Sequence, residues 1–208
     1  MITFCLTACG RPDLLEITLE SFFKYNTYPI KEFMIYEDSG TNCNKELQQK
    51  YKQINWILGT ERLGQITALD RMYSQVKTPY IFHCEDDWQF LKSGFIEESL
   101  PILELHPDIL QVRLCALEKF NSHPVEYSRG FAVLKNSNNL WAGTNFNPSL
   151  KRKSDYDAIS PFGNHTTFSR YKPWKSEAII AKVYNKMGFK AALLPDYITH
   201  IGNDRHVE

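Results

Sequence analysis

Pro79-Tyr80-Ile81-Phe82-His83-Cys84-Glu85-Asp86-Asp87-Trp88 is the stretch on which the fold turns. Six residues that suit a buried strand run straight into three consecutive acids, so a strand ends where charge begins. Upstream, Gly64 precedes a helical pattern carrying Ile66, Leu69, Met72 and Val76, and Trp56 to Leu58 reads as another strand. Before these come a helix with Leu47 and Tyr51, a polar loop from Asp38 to Asn44, and a strand over Phe33 to Glu37. The chain opens with a strand over Ile2 to Thr7 and a helix N-capped by Asp13, whose Leu15, Leu19, Phe22 and Phe23 form one apolar stripe before Pro29. Strand and helix therefore alternate four strands deep. This order predicts an α/β fold, Rossmann-like, with a mostly parallel sheet covered by right-handed crossovers and ligands at the carboxyl ends of its strands.

Downstream the pattern loosens. Phe95 to Leu105 reads as a helix and Leu110 to Ala116 as a strand, and then about fifty residues rich in Asn, Ser, Pro and aromatics show no period. Trp141, Phe146, Phe162, Phe168, Tyr171 and Trp174 favour ordered packing there, although the two tryptophans would also suit stacking on sugar rings. Glu177 to Met187 restores a helix capped by Gly188, and Ala191 to Leu194 is a last strand.

The 208 residues suffice for one sizeable core, so a single domain is expected. Lys plus Arg and Asp plus Glu number 24 each, which leaves no overall field to gather nucleic acid. The cysteines Cys5, Cys9, Cys43, Cys84 and Cys115 are odd in number and lack CxxC spacing. That pattern argues against a disulfide framework or structural zinc and points to a reducing, cytoplasmic setting. No stretch reaches the roughly 20 apolar residues of a transmembrane segment. The apolar start has no basic flank and is broken by Arg11-Pro12, unlike a signal peptide.

On a parallel sheet the tips Thr7-Ala8-Cys9-Gly10-Arg11, Glu37-Asp38-Ser39-Gly40, Thr60-Glu61-Arg62-Leu63-Gly64 and Glu85-Asp86-Asp87 lie side by side. They bring carboxylates and two arginines to one crevice, an inventory that suits a nucleotide: Asp38 can accept from a base N–H, Arg11 and Arg62 can offset phosphate charge, and Gly64 admits close approach. The acidic triplet is either a solvated loop start or a set of oxygens for Mn2+ or Mg2+ bridging to a diphosphate. Lys151-Arg152-Lys153 reads as a solvated basic turn, with an anionic acceptor or lipid headgroup as the other reading.

These residues resemble the family 2 glycosyltransferases, the large GT-A group. Thr7 to Arg11 is similar to the family's loop after the first strand, Glu37-Asp38-Ser39-Gly40 to its paired-acid motif, and Arg62-Leu63-Gly64 through Ala68, Asp70 and Tyr80 to Glu85-Asp86-Asp87 to its block ending in the DXD motif. Arg62 and Asp70 stand where the family commonly has Asn, and Glu85 replaces the first Asp. The resemblance implies a single GT-A domain in two halves, 1–116 for the nucleotide-sugar donor and 117–208 for the acceptor and catalysis. It assigns Thr7, Ala8, Arg11, Asp38, Arg62, Gly64, Glu85 and Asp86 to donor nucleotide binding, with Asp38 at the uracil position, and Asp87 and His200 to the metal. Asn147-Pro148-Ser149-Leu150, Phe162 and Ser176-Glu177 are similar to the acceptor half, which makes Glu177 the catalytic base and leaves Asp155 and Asp157 in reserve.

The implied activity is inverting, metal-dependent hexosyl transfer from a nucleotide sugar, UDP-sugar favoured, to a hydroxyl of a glycan acceptor. Glu177 also suits a plain helix-start carboxylate, worth roughly 0.3 to 1 kcal/mol through the helix dipole, and His200 a plain strand-end histidine. Two rival functions remain: a nucleotidyltransferase, for which Thr7 to Arg11 lacks the Gly-rich, Lys/Arg-bearing loop, and a catalytically silent carbohydrate- or nucleotide-binding module. The charged residues after His200 would also suit a domain cut from a larger protein.

Overall fold

A computed structural model describes residues 1–115, 124–128, 130–134, 145–166, 174–202 and 205. Trp141, Phe168 and Tyr171, and the side chain of Trp174, lie outside the described residues.

The first half is built as its sequence pattern requires. Strand β1 (Ile2–Ala8) leads to helix α1 (Pro12–Tyr25), β2 (Glu32–Glu37), α2 (Lys45–Lys50), β3 (Ile54–Leu58), α3 (Gln65–Tyr73) and β4 (Tyr80–Glu85). β1 pairs parallel with β2 on one side and β4 on the other, and β3 continues the sheet beyond β2. One boundary differs from expectation. α1 begins at Pro12 with Arg11 in the cap position and no side-chain cap, so Asp13 sits in the first turn rather than at the N-cap. Proline's preset φ suits the first helical position, where its missing N–H costs nothing.

The second half contains β5 (Trp88–Phe90), α4 (Phe95–Leu105), β6 (Ile109–Arg113), β7 (Val125–Ser128), β8 (Phe131–Leu134), β9 (Ser149–Arg152), α5 (Lys153–Asp157), a 3-10 turn at Phe162–Asn164, α6 (Trp174–Lys186), β10 (Lys190–Leu193) and β11 (Ile198–His200). The main sheet runs β3-β2-β1-β4-β9-β6-β10-β8-β7, and β5 pairs with β11 in a small separate ribbon. β9 lies antiparallel between β4 and β6, with Ser149 beside His83 and Arg113 and with Arg152 beside Tyr80. Its chain therefore starts at the carboxyl ends of β4 and β6 and runs toward their amino ends. Gly188, at φ +88°, closes α6 as a left-handed cap.

Both faces of the sheet are covered, and this is why the strands read as nearly unbroken apolar runs. Successive side chains alternate: Phe4 and Leu6 join Phe22, Phe82, Phe90 and Phe95 on one face, whereas Cys5 joins Leu69, Met72, Tyr73, Ile81, Phe146 and Phe162 on the other. Phe146 and Phe162 are thus core residues with rings 6.0 Å apart. Among the described residues no helix is long and apolar enough to cross a membrane.

Candidate functional site at the strand tips

The tips of β1, β2 and β4 are bound together by buried carboxylates. Glu37 ends β2 fully buried, and its Oε1 accepts from the backbone N–H groups of Gly10 and Ser39, each at 2.9 Å, while Oε2 accepts from the Asn44 amide. Asp38 follows at 5% exposure. Its Oδ1 accepts from Leu63 N–H at 2.9 Å and Oδ2 from Gly64 N–H at 2.7 Å, so it anchors the loop that enters α3. Its own N–H donates to the Ala8 carbonyl at 2.8 Å. Burial pushes the Asp38 carboxyl up, and the two backbone donors and Arg62 pull against it. Gly64 is needed here for its φ of +88°. Thr7 is buried beside Glu85 in the sheet register, and Ala8 beside Glu37.

The acidic triplet is held from below by α1. Thr18 Oγ1 donates to the Asp86 carbonyl at 2.9 Å and accepts from Trp88 N–H at 3.2 Å, while Ser21 Oγ accepts from Phe90 N–H at 3.0 Å. Asp86 is 2% exposed and points to the β1 loop, where Oδ2 accepts from Cys9 N–H at 3.1 Å and from Arg11 Nε at 3.3 Å, with Arg11 Nη2 on Oδ1. Burial pushes the Asp86 carboxyl up to about 6 against the opposing pull of Arg11. Asp87 Oδ2 meets Arg11 Nη1 at 2.9 Å and His200 Nε2 at 3.3 Å. Part of the cost of three adjacent acids is thus met by an internal cation, Arg11.

β11 brings His200 to this place, its ring tilted against that of Trp88 with centroids 4.8 Å apart, and Ile201 N–H donates to the Asp87 carbonyl at 2.9 Å. Gly202 then passes so close that an added Cβ would stand 2.5 Å from Asp87 Oδ2. Sequence reasoning took Gly202 only as a neighbour of His200 in the motif His200-Ile201-Gly202, because only the three-dimensional return of the chain shows its contact with Asp87. It also passed over Glu37 as a residue to single out, although a carboxylate closing a buried strand was a usable signal.

On the α3 and α6 side, Glu85 accepts from Gln65 Nε2 at 2.7 Å and from Trp88 Nε1 at 3.3 Å. Burial raises its carboxyl well above the usual range, and the charges of Asp87 and Glu177 add to this. Glu177, in the first turn of α6, accepts from Phe146 N–H at 2.9 Å. Burial raises it as well, opposed by that N–H and by the charges of Arg113 and Lys151. Lys151 is 8% exposed in β9 and lies over the rings of Tyr73 and Phe146 at 6.0 and 5.9 Å. Burial lowers its ammonium to about 8 despite the pull of Glu177 and Glu85.

The reading of Lys151-Arg152-Lys153 as a solvated turn is therefore corrected. Lys151 and Arg152 belong to an internal strand, and Arg152 donates to the carbonyls of Leu103, Pro107 and Ile109 and pairs with Asp155 at 2.8 Å. The strand escaped notice because its four residues, two of them cations, do not alternate as a half-buried strand does.

Not every candidate reaches this crevice. Asp155 and Asp157 lie in α5, at the opposite end of β9, where Arg152 holds the first and Lys153 the second. Asp70 is spent on structure, accepting from Tyr156 Oη at 2.9 Å and from the N–H groups of Phe162 and Gly163 at 2.8 and 2.9 Å. The structure brings together Thr7, Ala8, Arg11, Asp38, Arg62, Gly64, Glu85, Asp86, Asp87 and His200, with Glu177 on the neighbouring α6 side.

The donors present fit a divalent cation in part. Two ligands about 2.1 Å from one octahedral ion stand about 3 Å apart, and Asp87 Oδ2 and His200 Nε2 stand at 3.3 Å. No group of three or more His, Cys, Asp or Glu gathers as a cage among the described residues, so other oxygens must complete any such sphere.

The glycosyl transferase family 2 model matches residues 3–169, four fifths of the chain and the whole of this crevice except α6 and β11. The chain belongs to glycosyl transferase family 2. Its GT-A fold recurs in solved structures of low identity. The mannosyltransferase PcManGT from Pyrobaculum calidifontis, in complex with GDP-Man and Mn2+, superposes with a TM-score of 0.73 at 14% identity over 98% of this chain and 57% of that one. S. aureus TarS, residues 1–349 in complex with UDP, gives 0.65 at 12% identity over 95% and 59%. This family 2 chain thus spans less than two thirds of the length of those structures. Comparison with curated proteins yields no match.

Proposed function

We propose that this family 2 chain carries the donor and acceptor sites of an inverting glycosyltransferase, which moves a sugar from a nucleoside diphosphate sugar to a hydroxyl of a glycan or related acceptor. One observation carries the reading. The end of β1 is bonded to Asp38 through the Ala8 carbonyl, and the loop after it to Asp86 and Asp87 through Cys9 N–H and Arg11, which supports a reading in which the base end and the diphosphate end of one donor meet partners across a single crevice. Asp38 at the uracil position favours UDP, and the fold-sharing structures hold UDP and GDP-Man. All five cysteines are free, in keeping with a cytoplasmic setting.

In this reading Asp38, held by the Leu63 and Gly64 N–H groups, binds the base, and Arg62 and Arg11 face the phosphates. Asp87 and His200 would hold Mn2+ or Mg2+, whose chemistry is to neutralise charge on the departing diphosphate. Glu177 takes the proton from the acceptor hydroxyl as its oxygen bonds to the anomeric carbon. The bond from that carbon to the diphosphate breaks, and its electron pair leaves with the nucleotide. Phe146 N–H, Arg113 and Lys151 favour the carboxylate form of Glu177 that this step requires, against the burial that raises it.

Incubation with UDP- and GDP-sugars, Mn2+ and glycan acceptors tests the proposal by release of nucleoside diphosphate. Release is expected with at least one donor, and Glu177→Gln should lower it about 10²- to 10⁴-fold while donor binding persists. Donor binding with full turnover in Glu177→Gln would remove Glu177 from the chemistry, and no binding of any nucleotide sugar would end the proposal.

A further inference from the structure

One oxygen at the site is contested. Asp87 Oδ2 faces His200 Nε2 at 3.3 Å and at the same time takes Arg11 Nη1 at 2.9 Å. The rest of the Arg11 head is committed elsewhere: Nε and Nη2 fork onto Asp86, which is 2% exposed and also fixed by Cys9 N–H, and Nη1 donates to the Arg205 carbonyl at 3.0 Å. Arg205 is in turn tied to Asp13 in α1, with Nη2 at 3.1 Å. The guanidinium is therefore anchored through Asp86 and presents one arm to Asp87. Its side chain is only 13% exposed, so water does little to screen it.

We propose that Arg11 is an internal counter-ion that competes with a divalent cation for Asp87, and that a donor diphosphate relieves the competition by replacing Asp87 as the partner of Nη1 and compensating the guanidinium charge. The proposal rests on the reading of Asp87 and His200 as the metal pair. A dication shared by Oδ2 and Nε2 would stand close to the guanidinium charge, and the two repel. With the planar fork held on Asp86, Nη1 keeps its place and can exchange Asp87 for a phosphate oxygen that enters beside it, because guanidinium pairs with both carboxylates and phosphates. Metal binding is then weak without nucleotide and strong with it, and linkage requires the nucleotide to gain by the same factor. Arg11 is in this account a positioning residue that sets the order of assembly, with the metal arriving together with or after the donor.

The test is Mn2+ binding without nucleotide, read from the loss of the free-ion electron paramagnetic resonance signal on titrating MnCl2 into wild type, Arg11→Gln, Arg11→Lys and Asp87→Asn. Arg11→Gln removes the competing charge and is expected to tighten Mn2+ by roughly 5- to 150-fold, the usual span of such couplings. If Arg11→Gln fails to fold because Asp86 is left unpaired, Arg11→Lys carries the test: its single ammonium cannot fork onto Asp86 and reach Asp87 together, so Mn2+ should again bind more tightly than in wild type. Unchanged or weaker Mn2+ binding in the folded Arg11 variant, with Asp87→Asn abolishing it, would overturn the proposal and leave the metal pair standing. Equal Mn2+ binding in the folded Arg11 variant with and without Asp87→Asn would instead remove the metal pair, and this inference with it.

Discussion

Gly202 lies against Asp87 so closely that a methyl group on its α-carbon would meet Oδ2 at 2.5 Å and the Asp87 Cβ at 2.8 Å. Contacts under about 3 Å are not tolerated by real side chains, so Gly202→Ala must displace either the C-terminal segment or the carboxylate. Because Ile201 N–H and the β5–β11 ribbon hold the segment in place, Asp87 is expected to turn away. Mn2+-dependent turnover should fall at least tenfold while thermal unfolding shifts by a few degrees at most. Unaltered turnover would show that Asp87 does not have to keep this orientation.

Glu37 is a different kind of residue, a clamp rather than a ligand. Glu37→Ala strands the N–H groups of Gly10 and Ser39 and the Asn44 amide in a buried place. Each orphaned donor costs on the order of 1–3 kcal/mol, less whatever water can enter to satisfy. Urea denaturation should show a loss of about 3 kcal/mol or more, and nucleotide affinity should fall because the loops after β1 and β2 lose their shared anchor.

Lys151 makes stability depend on pH with a definite sign. Its ammonium is lowered to about 8 in the folded chain from an ordinary value of 10.5. A lowered lysine disfavours the fold while it is charged, so the cost is fully present below about pH 8 and fades as pH rises toward 10.5. A shift of this size corresponds to roughly 3 kcal/mol. Lys151→Met should therefore be at least as stable as wild type at pH 7, with the gap closing between pH 8 and 10. A strongly destabilised Lys151→Met would mean that its ion contacts outweigh the burial cost.

The same substitution tests the environment of Glu177. Burial raises the Glu177 carboxyl, and Lys151 and Arg113 oppose the rise. The acid limb of kcat is expected above the ordinary carboxylate range, and Lys151→Met should move it to higher pH, since one of the charges favouring the carboxylate is gone. An acid limb that stays fixed would separate Lys151 from the base.

The first half of the chain was legible because both of its signals are local. Apolar runs of strand length alternate with helical stripes, and each strand of β1 to β4 ends in a polar tip, so pairing the strands in parallel brings Asp38 and Asp86 near one loop without further information. What β9 does is not local. Ser149 to Arg152 becomes an internal strand through partners some 40 and 70 positions away, and its lysine lies buried over the rings of Tyr73, as distant in sequence, and Phe146, which the sequence pattern does not place. The role of Arg11 was half visible: a cation beside the acids could be expected, but the placement of its arms on both Asp86 and Asp87 follows from the α1 start at Pro12 and the return of β11. Asp155 read as a reserve base for want of any sign that Arg152, three residues earlier, would hold it at the far end of the sheet.

The central claim is that Asp38 and Asp87 serve two ends of one bound nucleotide diphosphate. Isothermal titration of UDP and GDP into wild type and Asp87→Asn, each with and without Mn2+ and set against uridine and guanosine, tests it most directly. Mn2+ should tighten the diphosphate in wild type, Asp87→Asn should lose this gain, and the nucleosides should bind both proteins alike. Diphosphate binding that ignores both Mn2+ and Asp87 would contradict it.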